Sequence, residues 1–305
     1  AMLALGLAAL QLMLDRGQHE DWFESWEIII ELGVAIAAFW MFLIHSMTTK
    51  KPLFDRAMVT NGNFLTALMF GSLIGLMMFG IFALLPPMLQ NIYGYTVFDT
   101  GALLAPRGIG ILIGMIAAGR LVTFLDIRWI ILSGFSLVAL SMWMMTGWAV
   151  EMGASHFITV GLIQGFGMGV TFMPTNVIAF STLPLSVRTD ASSLLYLARS
   201  LGGSLGISIS VTMLTRGMQV NHEELAGRIT SSTFDVVDPA MADRFGVLGD
   251  AVMRVLDMEV NRQAAMIAYL SDFQLLFYMV LAFLPLVLLM KPAPPQVGPP
   301  PHLPD

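Results

Sequence analysis

Eight long apolar runs restrict the folds that this 305-residue sequence can adopt. The hydrocarbon core of a bilayer is about 30 Å thick, so a helix needs roughly 20 apolar residues to cross it. The runs are 1–14, 28–47, 64–90, 100–122, 129–150, 157–183, 191–214 and 266–290. Only 12% of the residues are charged, against roughly 25% in globular proteins. The sequence therefore predicts an all-α integral membrane protein with eight transmembrane helices.

Composition and motifs exclude several functional classes. The net charge of −6, without a basic patch, does not suit nucleic-acid binding. The absence of cysteine excludes disulfides and thiol catalysis. The segment 202–206 matches the G-x-S-x-G nucleophile pattern, but the five histidines all lie at the ends of runs, in loops or in the tail, so none is placed to serve as its base. We expect no catalytic residue, no metal site and no cofactor.

The ends of the chain and the polar stretch 215–265 carry separate predictions. The first run is short and lacks an initiator Met and a basic segment, which favours a start inside a longer protein over a cleaved signal peptide. The stretch 215–265 is predicted as a long external loop. The tail 291–305 contains seven prolines and is predicted to be disordered.

The distribution of basic residues predicts the orientation, because short cytoplasmic loops accumulate Lys and Arg. One set of alternate connections and the tail carry Lys50, Lys51, Arg56, Arg120, Arg128, Arg188 and Lys291. The other short connections carry only Arg16. Both ends of the chain are therefore predicted to be cytoplasmic, and the stretch 215–265 is predicted to be external.

Two basic residues, Arg107 and Arg199, fall inside apolar runs. An ionisable side chain at that depth costs about 2.5 kcal/mol or more, so it indicates a functional role or a specific partner. A transport pathway lined by these arginines and a structural role both remain open. Arg107 follows Pro106, so it could instead bond carbonyls freed at a kink.

A second layer of polar residues lies in the last three runs. Asp272 is a carboxylate that could take up a proton or pair with a cation, although a solvated position near the external interface is the alternative. The uncharged candidates for a substrate or proton pathway are Gln164, Asn176, Tyr196 and Tyr278. Each of these could equally be an interhelical hydrogen bond.

Glycines four residues apart recur in the runs, and small residues at this spacing let helix backbones approach closely. They are Gly71 and Gly75, Gly110 and Gly114, Gly161, Gly165 and Gly169, and Gly202 and Gly206. Prolines inside runs, among them Pro174, bend helices where neighbours can bond the freed carbonyls. We expect these residues to pack or gate a helix bundle, with packing alone as the simpler alternative for any single pair.

Several segments resemble one transporter branch. Residues 14–25 read LDRGQHEDWFES and resemble the external L-D-R-G-x-x-x-D-W-F-x-S segment of fourteen-span drug/proton antiporters. These are the EmrB/QacA type of the major facilitator superfamily. The segments GALLAPRG at 101–108, G-x-G-x-G-x-x-x-x-P at 165–174, and ASS at 191–193 leading to RSLGGSLG at 199–206 follow in family order.

The resemblance implies a division of the chain. Residues 1–47 would be the inserted helix pair between two six-span halves, and 48–63 a cytoplasmic linker. Residues 64–290 would be the C-terminal half of a major facilitator fold. The sequence 119–128, with Gly119, Arg120, Asp126 and Arg128, resembles a degenerate copy of the family's cytoplasmic gate-like loop. The N-terminal six-helix half, which carries the main proton-coupling motifs, is not in this sequence.

The resemblance also implies a function. The parent protein would exchange protons for lipophilic small molecules by alternating access, in the bacterial inner membrane, with the proton gradient as its energy source. A periplasmic adaptor and an outer-membrane channel are expected partners, with the external loop as a docking candidate. The alternatives are a facilitator that exports another metabolite such as a lipid or siderophore, and a non-transporting membrane scaffold or intramembrane enzyme.

Overall fold

The computed structural model describes residues 1–18, 20–49, 54–55, 58, 60–228 and 245–289. Over these residues it contains eight α-helices and no strand. They are α1 (Met2–Arg16), α2 (Trp26–Thr48), α3 (Gly62–Asn91), α4 (Val97–Leu121), α5 (Ile127–Thr146), α6 (Ala154–Ser181), α7 (Arg188–Arg228) and α8 (Phe245–Phe283). Seven are long and apolar enough to cross a membrane; α1, with 15 residues, is shorter. The predicted all-α membrane fold is confirmed, and each predicted run coincides with one helix.

Polar side chains define where several helices begin. The side-chain oxygens of Asn61, Thr96 and Asp126 accept backbone N–H bonds at the starts of α3, α4 and α5. These bonds satisfy donors that have no partner within the first turn of a helix. Asp126, which the sequence placed in a gate-like loop, thus also fixes the start of α5.

The turn between α1 and α2 contains the motif that carries the family resemblance. Arg16 pairs with Glu27 at the start of α2, which joins the two helices. A Cβ at Gly17 would lie 2.8 Å from the ring of Trp22, so this position requires glycine. Asp21 and Trp22 adopt the left-handed conformation, with φ values of 50° and 54°. The motif therefore encodes a tight, charged helical hairpin.

The structure differs from the predicted external loop at 215–265. Residues 215–228 continue α7, and 245–265 belong to α8. At 1.5 Å per residue, the 41 residues of α7 span about 60 Å, twice the hydrocarbon core. Hydropathy does not indicate a helix here because the sequence is polar, but it contains good helix formers such as Glu, Leu and Ala.

Some predictions fall outside the described residues. These are the disordered tail 291–305, the centre of the predicted loop at 229–244, and the topology markers Lys50, Lys51, Arg56 and Lys291.

The last six helices pack as two tight pairs with two further helices against them. The most extensive contacts join α4 to α6 and α3 to α7, and the pairs meet through α3 and α6. Helix α5 packs on α6, α8 packs on α7, and α5 and α8 also contact each other. The α1–α2 hairpin touches this bundle through α1 and α7.

The two pairs are related by an internal repeat. If α3–α5 is one unit and α6–α8 the next, the second helix of each unit packs on the first helix of the other. This exchange is what an internal repeat of the kind found in transporter folds produces. The repeat places α4 and α7 in equivalent positions, and each of them contains one of the two arginines found inside apolar runs.

Candidate functional site

Arg107 lies in α4 and is buried, with 3% of its surface exposed. Its guanidinium donates a hydrogen bond to the side-chain oxygen of Gln164 on α6. It also lies 5.4 Å from the ring centroid of Phe82 on α3. This charge therefore joins three helices, and its bond goes to an amide side chain rather than to a carbonyl freed by Pro106.

Gln164 completes the surroundings of Arg107. The Gln164 side chain is fully buried. Its oxygen accepts from Arg107, and its amide nitrogen lies 3.7 Å from the sulfur of Met142 on α5. Both ends of the amide thus have partners, as a buried polar group requires.

Arg199 lies in α7 and reaches across to α6. Its guanidinium is 4.2 Å from the ring centroid of Phe172 and 3.5 Å from the Asn176 side-chain oxygen. The Asn176 amide donates to the Phe172 carbonyl at 2.9 Å. Tyr196, one turn before Arg199, is 73% exposed. Arg199 itself is half-buried, so this site is more open than the site around Arg107.

Neither arginine is neutralised by an acid. Among the described residues, no carboxylate oxygen lies within 4.0 Å of the Arg107 or Arg199 guanidinium. The Nε atoms of both arginines are buried without a hydrogen-bond partner. Within the described part of the chain, the groups that contact these charges are aromatic rings and single amides, and each guanidinium keeps donor capacity unused.

Close backbone approach holds both sites in place. A Cβ at Gly165 would collide with the Arg107 carbonyl oxygen, and a Cβ at Gly75 would collide with that of Arg199. Further glycines meet a carbonyl oxygen of the facing helix in the same way: Gly110, Gly114 and Gly169 in the α4–α6 pair, and Gly202 and Gly206 in the α3–α7 pair. Gly161 is looser, with its nearest atom at 3.8 Å. Pro174 is buried inside α6.

The other predicted pathway residues, Asp272 and Tyr278, lie on α8, away from the α4–α6 pair. Asp272 is 2% exposed, and its Oδ2 atom is buried without a hydrogen-bond partner. This burial differs from the alternative of a solvated position at the interface. Tyr278 is 55% exposed and accepts a hydrogen bond from Gln274 at 3.1 Å. The structure thus brings Arg107 together with Gln164 and Arg199 with Asn176, but it leaves the α8 residues apart from both.

The four residues of the predicted gate-like loop lie around the turn between α4 and α5: Gly119 and Arg120 are at the end of α4, Asp126 is in the turn, and Arg128 is at the start of α5. Asp126 caps α5 by accepting from the Arg128 backbone N–H at 3.1 Å. Arg120 is exposed in the last turn of α4, where a positive charge complements the helix dipole. A Cβ at Gly119 would meet only the Met173 side chain, at 4.0 Å. The loop is therefore a capped turn with free space around its glycine.

An aromatic cluster lies at the opposite end of the bundle from this turn. The Tyr93 ring packs edge-on against Phe157, 4.9 Å between centroids, and Phe157 packs in the same way against Trp148. Burial raises the pKa of the Tyr93 hydroxyl to about 12. The hydroxyl therefore stays protonated at neutral pH and donates to the Ala149 carbonyl at 2.6 Å.

Sequence reasoning missed Phe82 and Phe172, which lie against the two guanidinium groups. A phenylalanine in an apolar run gives no hydropathy signal of its own. The signal in the sequence is the constant spacing between the two repeats, which a single motif does not reveal.

Comparison with known proteins identifies the family. The family model of the Major Facilitator Superfamily matches residues 2–207. The chain belongs to the major facilitator superfamily. This confirms the family that the sequence motifs indicated, and it places the chain among membrane transport proteins rather than enzymes.

The curated relatives are export and resistance proteins. The multidrug export protein EmrB of Escherichia coli K12 is 36% identical over 232 residues, which cover 74% of this chain and 44% of EmrB. The probable multidrug resistance protein EmrY of the same strain is 28% identical over 294 residues, covering 95% of the chain and 57% of EmrY. The chain thus spans about half the length of the curated relatives it matches.

Solved structures agree with the fold. A bacterial homologue of the human lysosomal transporter Spinster, in an inward-facing and occupied conformation, aligns with a TM-score of 0.57 at 14% identity. The alignment covers 87% of this chain and 58% of that chain. At this identity the likeness supports the fold alone. The helical fold of this chain therefore resembles that of a solved transporter.

Proposed function

We propose that this chain is the C-terminal portion of a multidrug efflux transporter, which exchanges protons for lipophilic compounds by alternating access. The observation that supports it most strongly is the pair of arginines, one buried and one half-buried, that lie without acids between glycine-packed helix pairs. A protein that only anchored or scaffolded would gain nothing from such desolvated charges, which are costly in a membrane. The names of EmrB and EmrY support multidrug cargo.

This proposal assigns separate roles in transport to the arginine sites, the helix pairs and the turn between α4 and α5. Arg107, Arg199 and their amide partners line the substrate pathway, with Tyr196 and Tyr278 as further candidates. The glycine-packed pairs α4–α6 and α3–α7 would each move as a unit, because small residues let the two backbones of a pair pack closely. The turn at Gly119–Arg128 would act at the cytoplasmic gate.

Asp272 is the proposed proton-binding residue of this half. Its buried oxygen without a hydrogen-bond partner is accommodated most readily when the carboxyl group carries a proton. The proton gradient would supply the energy, so the proposal requires no cofactor. We expect Asp272→Asn to change the pH dependence of export, and an unchanged pH profile would contradict this role.

The remaining partners follow from the same proposal. The six-helix N-terminal half would face α3–α8 across the substrate pathway. With both ends cytoplasmic in the inner membrane, the extensions of α7 and α8 beyond bilayer thickness would stand on the external side. These extensions would provide the docking surface for a periplasmic adaptor and, through it, an outer-membrane channel.

A second cargo class is supported by one relative. The fatty acid resistance protein FarB of Neisseria gonorrhoeae is 28% identical over 293 residues, covering 95% of this chain. Export of a lipid or another metabolite is therefore the alternative within transport.

The test is an export assay in a bacterial host without its own major efflux pumps. The full-length transporter containing this chain would be given a panel of neutral, cationic and acidic lipophilic compounds. We expect export of several members, and loss of at least one in Arg107→Ala and in Arg199→Ala. The matched control is Arg188→Ala, in the first turn of α7 and outside both arginine sites and the proposed docking surface. Unchanged export of the whole panel by both arginine variants would contradict the pathway assignment.

A further inference from the structure

The internal repeat can be read residue by residue, because equivalent positions keep a constant spacing. In α4 and α7 the offset is 92 positions, and it relates Arg107 to Arg199, Gly110 to Gly202 and Gly114 to Gly206. In α3 and α6 the offset is 90 positions, and it relates Phe82 to Phe172, Gly75 to Gly165 and Gly71 to Gly161. The arginine sites are therefore two copies of one arrangement.

The contacts repeat together with the residues. Arg107 lies over Phe82 and Arg199 lies over Phe172, so each guanidinium packs on the equivalent ring. The Arg107 carbonyl faces Gly165, and the Arg199 carbonyl faces Gly75. Two kinds of contact, which involve three pairs of equivalent residues, are thus repeated.

The two copies differ in how exposed their arginine is: we call the buried copy closed and the half-buried copy open. Arg107 is sealed by Gln164, which has no equivalent on α3, where the position is Ile74. Arg199 is half-buried, and its amide contact, to Asn176, is at the 3.5 Å limit of a hydrogen bond. The copy in α6 and α7 is therefore the one that can accept a ligand in this conformation.

The chemistry of the open copy selects a ligand. A guanidinium presents a planar fork of N–H donors that matches the two oxygens of a carboxylate. At Arg199 these donors meet a single weak amide acceptor and no acid, while Phe172 and the exposed Tyr196 add aromatic surface beside them. Tyr196 and Arg199 lie on the same face of α7, since residues three apart are neighbours on a helix.

We propose that Arg199, Phe172, Asn176 and Tyr196 form a binding site for lipophilic carboxylates, and that Arg107 with Phe82 is its closed copy. Arg199 binds the carboxylate through its guanidinium, and the two rings contact the apolar body of the ligand. This inference rests on the proposed function for its role in export, but ligand binding can be tested without transport.

The binding test compares two probes of equal shape and different charge, 2-naphthoate and 2-naphthamide. Binding to the 305-residue chain in phosphatidylcholine nanodiscs is measured by equilibrium dialysis, with empty nanodiscs subtracted. We expect 2-naphthoate to bind at least about tenfold more tightly than the amide, since a hydrogen-bonded charge pair contributes more than 1.4 kcal/mol. Equal binding of both probes would overturn the site.

Variants identify the residue responsible. Arg199→Gln is expected to weaken 2-naphthoate binding about tenfold and to leave 2-naphthamide unchanged. Arg199→Lys should retain part of the affinity, because it keeps the charge without the fork. Arg216→Gln on the same helix should bind like the unaltered chain. Circular dichroism of each variant verifies that the helical content is intact; an Arg199→Gln protein with native helicity and native naphthoate affinity would overturn the proposal.

Export separates this inference from the proposed function. In the full-length transporter, Arg199→Gln should lose naphthoate export and keep export of ethidium, a lipophilic cation. Loss of both would show that Arg199 serves transport in general and would overturn its assignment to carboxylates. If the unaltered transporter exports neither compound while naphthoate binding persists, the proposed function fails and the binding site stands.

Discussion

The surroundings of Arg107 and Arg199 show how one arrangement can be either closed or open. Both arginines lie on the second helix of a repeat, pack on an equivalent phenylalanine and face an equivalent glycine. Arg107 is sealed by Gln164, whereas Arg199 is half-buried beside an exposed Tyr196. Local sequence therefore fixes the arrangement, and packing against the neighbouring helices decides its exposure.

The largest expected effect comes from filling the glycine contacts that hold the closed copy. A Cβ at Gly110 would lie 2.6 Å from the Leu162 carbonyl oxygen, whereas one at Gly108 meets no atom within 4 Å. Because overpacking costs about 1–3 kcal/mol even where side chains can yield, and backbone cannot yield here, Gly110→Leu should separate α4 from α6. We expect little folded protein on size-exclusion chromatography.

Gly108→Leu is the matched control for that experiment, on the same helix. It should fold normally, because leucine is a better helix former than glycine by up to about 1 kcal/mol. If both variants fold equally well, the close approach of α4 and α6 is wrong.

The second-largest effect is a difference in stability between variants of the two amide partners, Gln164 and Asn176. Gln164→Leu leaves the buried Arg107 without its acceptor and should cost about 1–3 kcal/mol. Asn176→Leu should cost less than about 1 kcal/mol, since its bond is long and Arg199 can reach solvent. Thermal unfolding midpoints in detergent would show this order, and a larger loss for Asn176→Leu would reverse the assignment of closed and open copies.

The smallest expected effect is the coupling energy between each arginine and the phenylalanine ring beside it. Phe172 lies closer to its guanidinium than Phe82 does, 4.2 Å against 5.4 Å. A double-mutant cycle of Phe172→Leu with Arg199→Met should therefore give a coupling of about 0.5–1 kcal/mol. The equivalent cycle of Phe82→Leu with Arg107→Met should give a smaller coupling, because the ring is farther from the guanidinium. No coupling in either cycle would show that the rings only fill space.

The sequence predicted most of the fold because membrane helices are specified by simple lengths of apolar residues. All eight runs became helices, and the charges left over inside them led directly to Arg107 and Arg199. Hydropathy failed where helices continue into polar sequence, as in α7 beyond residue 214. Hydropathy also could not predict whether Asp272 is buried, because burial on α8 depends on how that helix packs against α5 and α7.

The partners of the arginines were harder to predict. Gln164 and Asn176 were on the list of candidates because amides stand out in apolar runs. Phe82 and Phe172 were not, since only the repeat relation distinguishes them from twenty phenylalanines in the chain. Pairing residues across repeats requires knowing which helices pack together, and single-sequence patterns do not contain that information.

Proton exchange is the central claim, and dissipation of a proton gradient measures it most directly. In everted membrane vesicles containing the full-length transporter, respiration acidifies the interior and quenches a pH-sensitive dye. We predict that adding a transported lipophilic compound restores the fluorescence, because each molecule taken up is exchanged for protons, and that vesicles without the transporter do not respond. Uptake of the compound with no change in the pH gradient would contradict proton exchange.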